Sequence, residues 1–270
     1  MQTFHSFEQS GWQRAAERYG DAFGGLTSQT IPWLLAAANV SSGTRLLDVA
    51  SGPGYVAAAA ASAGASAVGI DFSSEMVRLA GDRYPGVVFQ EGDAEALAFP
   101  DETFDAVTLN FGVLHLARPD AALAEARRVL APGGRCALTV WATPEVSVGF
   151  GIVLRAIEAR GRMNVPLPEG PPFFRFSDPD EAARSLLAAG FVDPHVEQIP
   201  LTWRLESVDG LYDAFVEGAV RTAALLKAQT PEATTAIRRA IVENLEAYRT
   251  GAGFELPMAA VLSSAARPPS

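Results

Sequence analysis

The stretch from residue 44 to residue 57, TRLLDVASGPGYVA, constrains this chain more than any other. Arg45-Leu46-Leu47-Asp48-Val49-Ala50 reads as a short buried strand, and Ser51-Gly52-Pro53-Gly54 as a glycine turn that opens an alanine-rich helix. An apolar run feeding a glycine turn and then a helix is the first half of a βαβ unit. Gly52 and Gly54 lack Cβ atoms, so backbone there can approach a ligand closely and adopt positive φ. The helix start presents unpaired N–H groups. A nucleotide-like ligand in the crevice at the strand's carboxyl end is the expectation. A structural glycine turn without a ligand is the plainer alternative.

Taken literally, Gly52-Pro53-Gly54-Tyr55-Val56-Ala57 satisfies G-x-G-x-x-G/A, and Asp71 follows about 20 residues on, as in a dinucleotide site. Two details point elsewhere. Asp48 lies inside the strand, where a nicotinamide site has no need of a carboxylate but a methionyl ammonium would. Pro53 removes an N–H that a pyrophosphate could use. With its hydrophobic-hydrophobic-Asp-x-x-x-Gly-x-Gly motif, the chain resembles the class I S-adenosylmethionine (SAM)-dependent methyltransferases. One departure is Ala50-Ser51, where the family usually has Gly-Cys or Gly-Ser. The small size of alanine keeps binding plausible.

Later motifs extend the resemblance. Ala67 to Asp71 reads as a second strand, whose terminal carboxylate can accept both ribose hydroxyls. Phe72 could line the adenine, and Ser73 begins a helix with Met76 one turn in. The alternative for Asp71 is helix capping. Val87 to Glu91 reads as a third strand, followed by Gly92-Asp93-Ala94-Glu95. The resemblance implies that Asp93 and the Ala94 N–H meet the adenine edge, although Gly-Asp is also a common turn. Phe104 to Asn110 is the fourth strand, and Asn110 falls where the family's strand ends beside the methionyl group. A helix from Asp120 to Leu130, a Pro132-Gly133-Gly134 turn and a strand from Arg135 to Trp141 complete the core. The resemblance is closest to the small-molecule branch that includes the ubiquinone/menaquinone biosynthesis methyltransferases. It implies S-adenosyl-L-methionine as cofactor, S-adenosyl-L-homocysteine as product, and a binding set of Asp48, Ala50, Ser51, Gly52, Gly54, Asp71, Phe72, Met76, Asp93, Ala94 and Asn110.

The implied fold is α/β and Rossmann-like: a seven-stranded, mostly parallel sheet, helices on both faces, and helical insertions forming a cap. At 270 residues the chain has room for both. Residues 1–43 form the expected N-terminal helical lid, 44–142 the SAM-binding core and 143–176 a cap insertion after strand five. Residues 177–205 return to the core with a helix and strand six, 206–251 form a second helical cap insertion, and 252–270 the last strand and tail. In the lid, Trp12, Ala15, Ala16 and Tyr19 recur at helical spacing until Gly20 is expected to break the run. A second helix is expected around Thr30 to Asn39. Trp12 and Tyr19 match a Trp-x(6)-Tyr pattern found in small-molecule relatives, which suggests a lid that excludes water. Simple packing on the sheet is the alternative. The second insertion is expected to carry two helices, the first marked by Leu211, Phe215, Ala219 and Leu226. Phe173, Phe174 and Phe176 suit an apolar lining or plain core packing.

A net charge of −10 without a basic cluster argues against a nucleic-acid partner. A single cysteine, Cys136, leaves no disulfide framework, and with three histidines it leaves no credible metal cluster. The expectations are a small-molecule acceptor, no membrane span, no metal, and a cytoplasmic protein that could form a homodimer. His115, just past the fourth strand, is the best-placed general base if the acceptor must lose a proton. A structural histidine is the alternative, and His5 and His195 have weaker positions. Trp12, Tyr19 and Trp141 are candidates for substrate contact or closure over the sulfonium. A SAM-binding protein without methyl transfer, cyclase-like or a binding module, is the alternative function. A nicotinamide-dependent dehydrogenase is opposed by Asp48 and by Gly92-Asp93-Ala94.

Overall fold

The computed structural model describes residues 2–269. Three helices open it: α1 (Phe4–Tyr19), α2 (Gly25–Thr27) and α3 (Ile31–Ala37). The core runs β1 (Arg45–Val49), α4 (Tyr55–Ser62), β2 (Ser66–Asp71), α5 (Ser74–Arg83), β3 (Val88–Glu91), β4 (Phe104–Asn110), α6 (Pro119–Val129) and β5 (Leu130–Trp141). Then come α7 (Val148–Arg160), α8 (Pro179–Ala188), β6 (Val192–Leu205), α9 (Gly210–Gly218), α10 (Arg221–Lys227), α11 (Pro231–Leu245), β7 (Arg249–Thr250) and β8 (Gly253–Ala266).

All the strands join one sheet in the order β3-β2-β1-β4-β5-β8-β6, with the two-residue β7 pairing beside β8. β1 is parallel to β2 and β4, and β2–β3 and β4–β5 are parallel too. Only β8, lying between β5 and β6, runs antiparallel to its long neighbours. The fold is therefore the expected Rossmann-like, mostly parallel sheet. Leu46, Leu47, Asp48 and Val49 are all buried, as expected of a strand covered on both faces. Right-handed crossovers lead from β1 outward to β2 and from β4 the opposite way to β5, so their helices cover opposite faces. A crevice opens between them at the strands' carboxyl ends. Among the described residues, no helix is long and apolar enough to cross a membrane.

Three local expectations need correction. Gly20 does not break the first helix: it stays helical at φ −56°, and the chain passes through a π-helical turn, Gly20–Gly24, into α2. The glycines there make room for Tyr55, whose hydroxyl lies 2.8 Å from where a Cβ on Gly24 would stand. Pro132-Gly133-Gly134 is not a turn ahead of the fifth strand but an irregularity inside β5, where pairing to β4 jumps from Phe104–Leu130 to Ala106–Arg135. Gly133 takes φ +78° there. The single helix expected from Leu211 to Leu226 is two, α9 and α10, because Ala219 is extended (φ −123°, ψ 167°). That break turns residues 218–222 toward the crevice.

Gly54 caps α4 at φ +86°, and a Cβ there would sit 2.6 Å from the Phe89 ring. Gly54→Ala combines an unfavourable left-handed conformation with a clash, so it is expected to lose about 2 kcal/mol or more, read as a lower midpoint in urea denaturation.

Candidate active site

Two backbone conformations shape the floor of the crevice. Ala50, just past β1, has φ +54°, and Phe111, just past β4, has φ +56°. Left-handed geometry is costly for residues other than glycine, and such outliers gather at functional sites. Here they stand at the starts of two neighbouring loops. The space between is so tight that a Cβ on Gly112 would lie 2.5 Å from the Ala50 Cβ. The substitution of alanine for the family's usual glycine at residue 50 is thus matched by a glycine opposite.

The resulting cleft has a volume of about 1170 Å³, counting its open mouth. It is bordered by all the expected cofactor residues except Gly54: Asp48, Ala50, Ser51, Gly52, Asp71, Phe72, Met76, Asp93, Ala94 and Asn110. His115, Trp12, Tyr19 and Trp141 border it too. Gly54 works from behind, shaping the turn.

Asp71 is 5% exposed and bridges two loops: one carboxylate oxygen accepts from the Gly52 N–H at 2.9 Å, the other from the Ser73 N–H at 2.9 Å. Each oxygen keeps a second lone pair for a ligand hydroxyl. Asp48 accepts from the Ala57 N–H (3.2 Å) and the Thr108 hydroxyl (3.0 Å), so it also holds the turn against β4. Burial pushes Asp48 up to about 7 and Asp71 up to about 6, against the pull of those hydrogen bonds. Both oppose further negative charge and favour a cationic neighbour.

Other expected residues have their side chains committed elsewhere. The Asn110 carboxamide oxygen accepts from Thr30 (2.7 Å) and Thr139 (2.5 Å), and its nitrogen donates to the Thr27 carbonyl (3.2 Å). Asn110 therefore staples the N-terminal helices to β4 and β5, leaving its backbone to face a ligand. The Ser51 hydroxyl is buried without a hydrogen-bond partner and packs toward Gly69 on β2. Gly52, at φ +51°, has open space where a Cβ would stand. His195 is exposed and lies away from the cleft, and His5 sits beside Phe72 at a shallow second depression. His5, Asp93 and Glu95 bring three donor atoms within 4.8 Å of one another. Arg118 already holds both Glu95 oxygens at 2.8 Å, so that trio is a poor cation cage.

The other end of the cleft is aromatic. Trp141 packs on Phe111 (4.1 Å between centroids) and Phe150 (5.3 Å), while Phe23 and Phe173 complete the wall. Tyr19 donates to Thr27 at 3.1 Å, and burial pushes its phenol up to about 12, so it stays protonated. The Trp12 ring meets the His115 ring edge-on at 4.7 Å. Several site residues escape sequence reasoning. Gln9 donates to the Phe72 carbonyl (3.0 Å), and Gln13 accepts from the Ser73 hydroxyl (2.8 Å), docking α1 over the β2–α5 loop. Glu8 and Arg221 meet beside His115. For Glu8 a signal existed: it shares the helical face of Trp12, Ala15 and Tyr19, so a carboxylate stood on an otherwise apolar stripe.

A mostly parallel sheet with a crevice at its strands' carboxyl ends, floored by Asp48, Asp71 and a glycine turn, is a class I, Rossmann-like fold. The family model described as a methyltransferase domain matches residues 47–138. A demethylmenaquinone methyltransferase of Paenarthrobacter aurescens is 33% identical over 177 residues, covering 61% of this chain and 70% of that protein. Another, from Clavibacter sepedonicus, is 41% identical over 124 residues, covering 43% of this chain and 50% of that protein. The chain thus spans only about half the length of some of the curated relatives it matches. In fold it is similar to the YcgJ protein of Bacillus subtilis, with a TM-score of 0.58 at 19% identity, covering 90% of this chain and 99% of that one. The chain belongs to the class I SAM-dependent methyltransferase family.

Two outcomes follow from the site's geometry. Gly112→Ala is expected to cost about 1–3 kcal/mol through overpacking against Ala50. Adding Ala50→Gly should recover most of that loss in a double-mutant cycle of denaturation energies. The second concerns pH. Folded Asp48 and Asp71 keep protons up to about 7 and about 6, where an unfolded carboxyl has lost them. Their contribution to stability therefore falls as pH rises from about 4 toward 7. Thermal midpoints from pH 5 to pH 8, without cofactor, should decline less steeply in Asp48→Asn than in the wild type.

Proposed function

We propose that this chain is a methyltransferase that moves the methyl group of SAM to a small, partly apolar acceptor. The observation that carries the reading is the meeting, in one cleft, of a polar nucleotide end and an aromatic end in a chain of this family. When bound, the cofactor supplies an electrophilic methyl carbon open to in-line displacement.

At the polar end, Asp71 accepts from ribose hydroxyls while its bonds to Gly52 and Ser73 keep it oriented. Phe72 and Met76 flank the adenine, and Asp93 with the Ala94 N–H reads its edge. Asp48 and Asp71 set a negative field under the methionyl ammonium, and the Gly52 backbone and the Asn110 backbone carbonyl border it. At the other end, Trp141 and its aromatic neighbours hold an apolar acceptor near the methyl group. Trp12 and Tyr19, carried by α1, help exclude water. Most of the acceleration then comes from holding nucleophile and methyl carbon about 3–3.5 Å apart.

Calorimetric titration with S-adenosylhomocysteine, with NAD as control, tests the cofactor. Binding is expected for the former only, and Asp71→Ala should weaken it roughly 10- to 100-fold, the worth of a charge-assisted hydrogen bond. Methyl-labelled SAM with candidate acceptors then distinguishes transfer from binding alone. NAD binding in place of S-adenosylhomocysteine would sink the reading.

A further inference from the structure

Glu8 is an anomaly in a lid helix. Its side chain is 0% exposed, yet it stands on the face that α1 turns toward the cleft. One carboxylate oxygen accepts from Arg221 Nε at 2.7 Å, and the other lies 3.0 Å from His115 Nδ1. Arg221 comes from α10 in the cap, and His115 from the turn after β4. Three separate parts of the chain therefore converge on one buried carboxylate.

The arrangement specifies a tautomer. A carboxylate accepts only, so Nδ1 must carry the hydrogen, and in the neutral ring Nε2 keeps its lone pair. Nε2 has no hydrogen-bond partner among the described residues, and the ring borders the cleft. Trp12 and Phe173 pack edge-on against the ring, at 4.7 and 5.9 Å between centroids, fixing its plane.

Arg221 is equally committed. Besides Glu8 it donates from Nη1 to the Pro171 carbonyl (2.8 Å) and from Nη2 to the Leu114 carbonyl (2.6 Å), and it lies over the Phe4 ring at 4.4 Å. It is the only Arg or Lys among the described residues lining the cleft. No uncommitted cation is left there for a phosphate or carboxylate on the acceptor. The walls beside it are aromatic faces, which suit a planar ring.

We propose that Glu8 is a positioning residue that holds His115 as a general base, and that the acceptor is an uncharged planar ring bearing a hydroxyl whose proton His115 removes. This rests on the methyltransferase reading above. The proton passes to His115 Nε2, the oxygen pair so freed forms the bond to the methyl carbon, and the carbon–sulfur pair remains on sulfur. Glu8 then faces an imidazolium, which its charge stabilises. Glu8 on α1 and Arg221 on α10 are the charged groups that face this histidine. Burial lowers the His115 pKa below its ordinary value while Glu8 pulls it back up, so the ring is neutral and able to accept a proton at neutral pH. Burial would raise Glu8, but His115 and Arg221 hold it below the ordinary carboxylate range, so it remains charged.

The primary test needs no acceptor. Long-range proton–nitrogen correlation spectra of the full chain are expected to show His115 as the Nδ1–H tautomer at neutral pH. Glu8→Gln should move the His115 titration to lower pH. An Nε2–H tautomer in the wild type overturns the proposal, whether or not the variant folds, and so does an unchanged titration in folded Glu8→Gln. Affinity for S-adenosylhomocysteine, measured separately, should be the same in Glu8→Gln as in the wild type. Absence of that binding in the wild type would defeat the cofactor reading and leave the tautomer result standing. With labelled SAM and 2-naphthol as probe, Glu8→Gln and His115→Ala are each expected to lower kcat roughly 10²-fold, with the KM for SAM unchanged. The double variant should fall no further than His115→Ala. No transfer to 2-naphthol by the wild type overturns the acceptor class, and an additive double variant overturns the positioning role.

Discussion

The site depends on the place where β1 and β4 lie side by side and the chain reverses its direction of travel across the sheet. Ala50 and Phe111, the first residues past these strands, both take left-handed conformations. Asp48 and Asn110 sit in the two adjacent strands and border the cleft. Both use their side chains largely to brace it. This end of the cleft is held in shape by buried carboxylates and hydroxyls whose hydrogen bonds run to the frame. This rigidity is what positioning chemistry requires.

Residues of the N-terminal helices and of the segment joining α9 to α10 also line the cleft. Directional contacts hold these helices: Gln9 and Gln13 to the β2–α5 loop, and Glu8 to Arg221 at the aromatic end. A buried ion pair of this kind adds little stability over an apolar replacement, but breaking one partner is costly. Its value here is registry, since the same carboxylate that docks α1 also fixes the His115 ring.

The elements most readable in advance were those whose sequence pattern is local. β4 was read at Phe104–Asn110, and the strand–turn–helix at residues 44–57 defined the fold class and the place of the crevice. The errors came where a local signal was overridden by packing. Gly20 carries a helix-breaking signal, but space for the Tyr55 ring made it part of a π-helical turn. Pro132-Gly133-Gly134 has turn composition, yet pairing with β4 absorbed it into a bulged strand. Ala219 has no breaking signal at all, and still the chain bends there to line the cleft.

The sequence by itself determined the α/β class, the crevice at the end of β1, and the carboxylates under it, because strands, glycine turns and helix starts are written in spacings of a few residues. It also carried an unread clue in Glu8, a charge on an apolar helical stripe. Only the tertiary structure decided what Glu8 faces. His115 lies 107 residues away and Arg221 lies 213 residues away, and no local pattern links them. The same holds for Asn110, whose side chain proved to be a brace because Thr27, Thr30 and Thr139 reach it from two other parts of the chain. Partners in a buried polar network are chosen by which elements the fold brings together, and that choice exists only once the chain has packed.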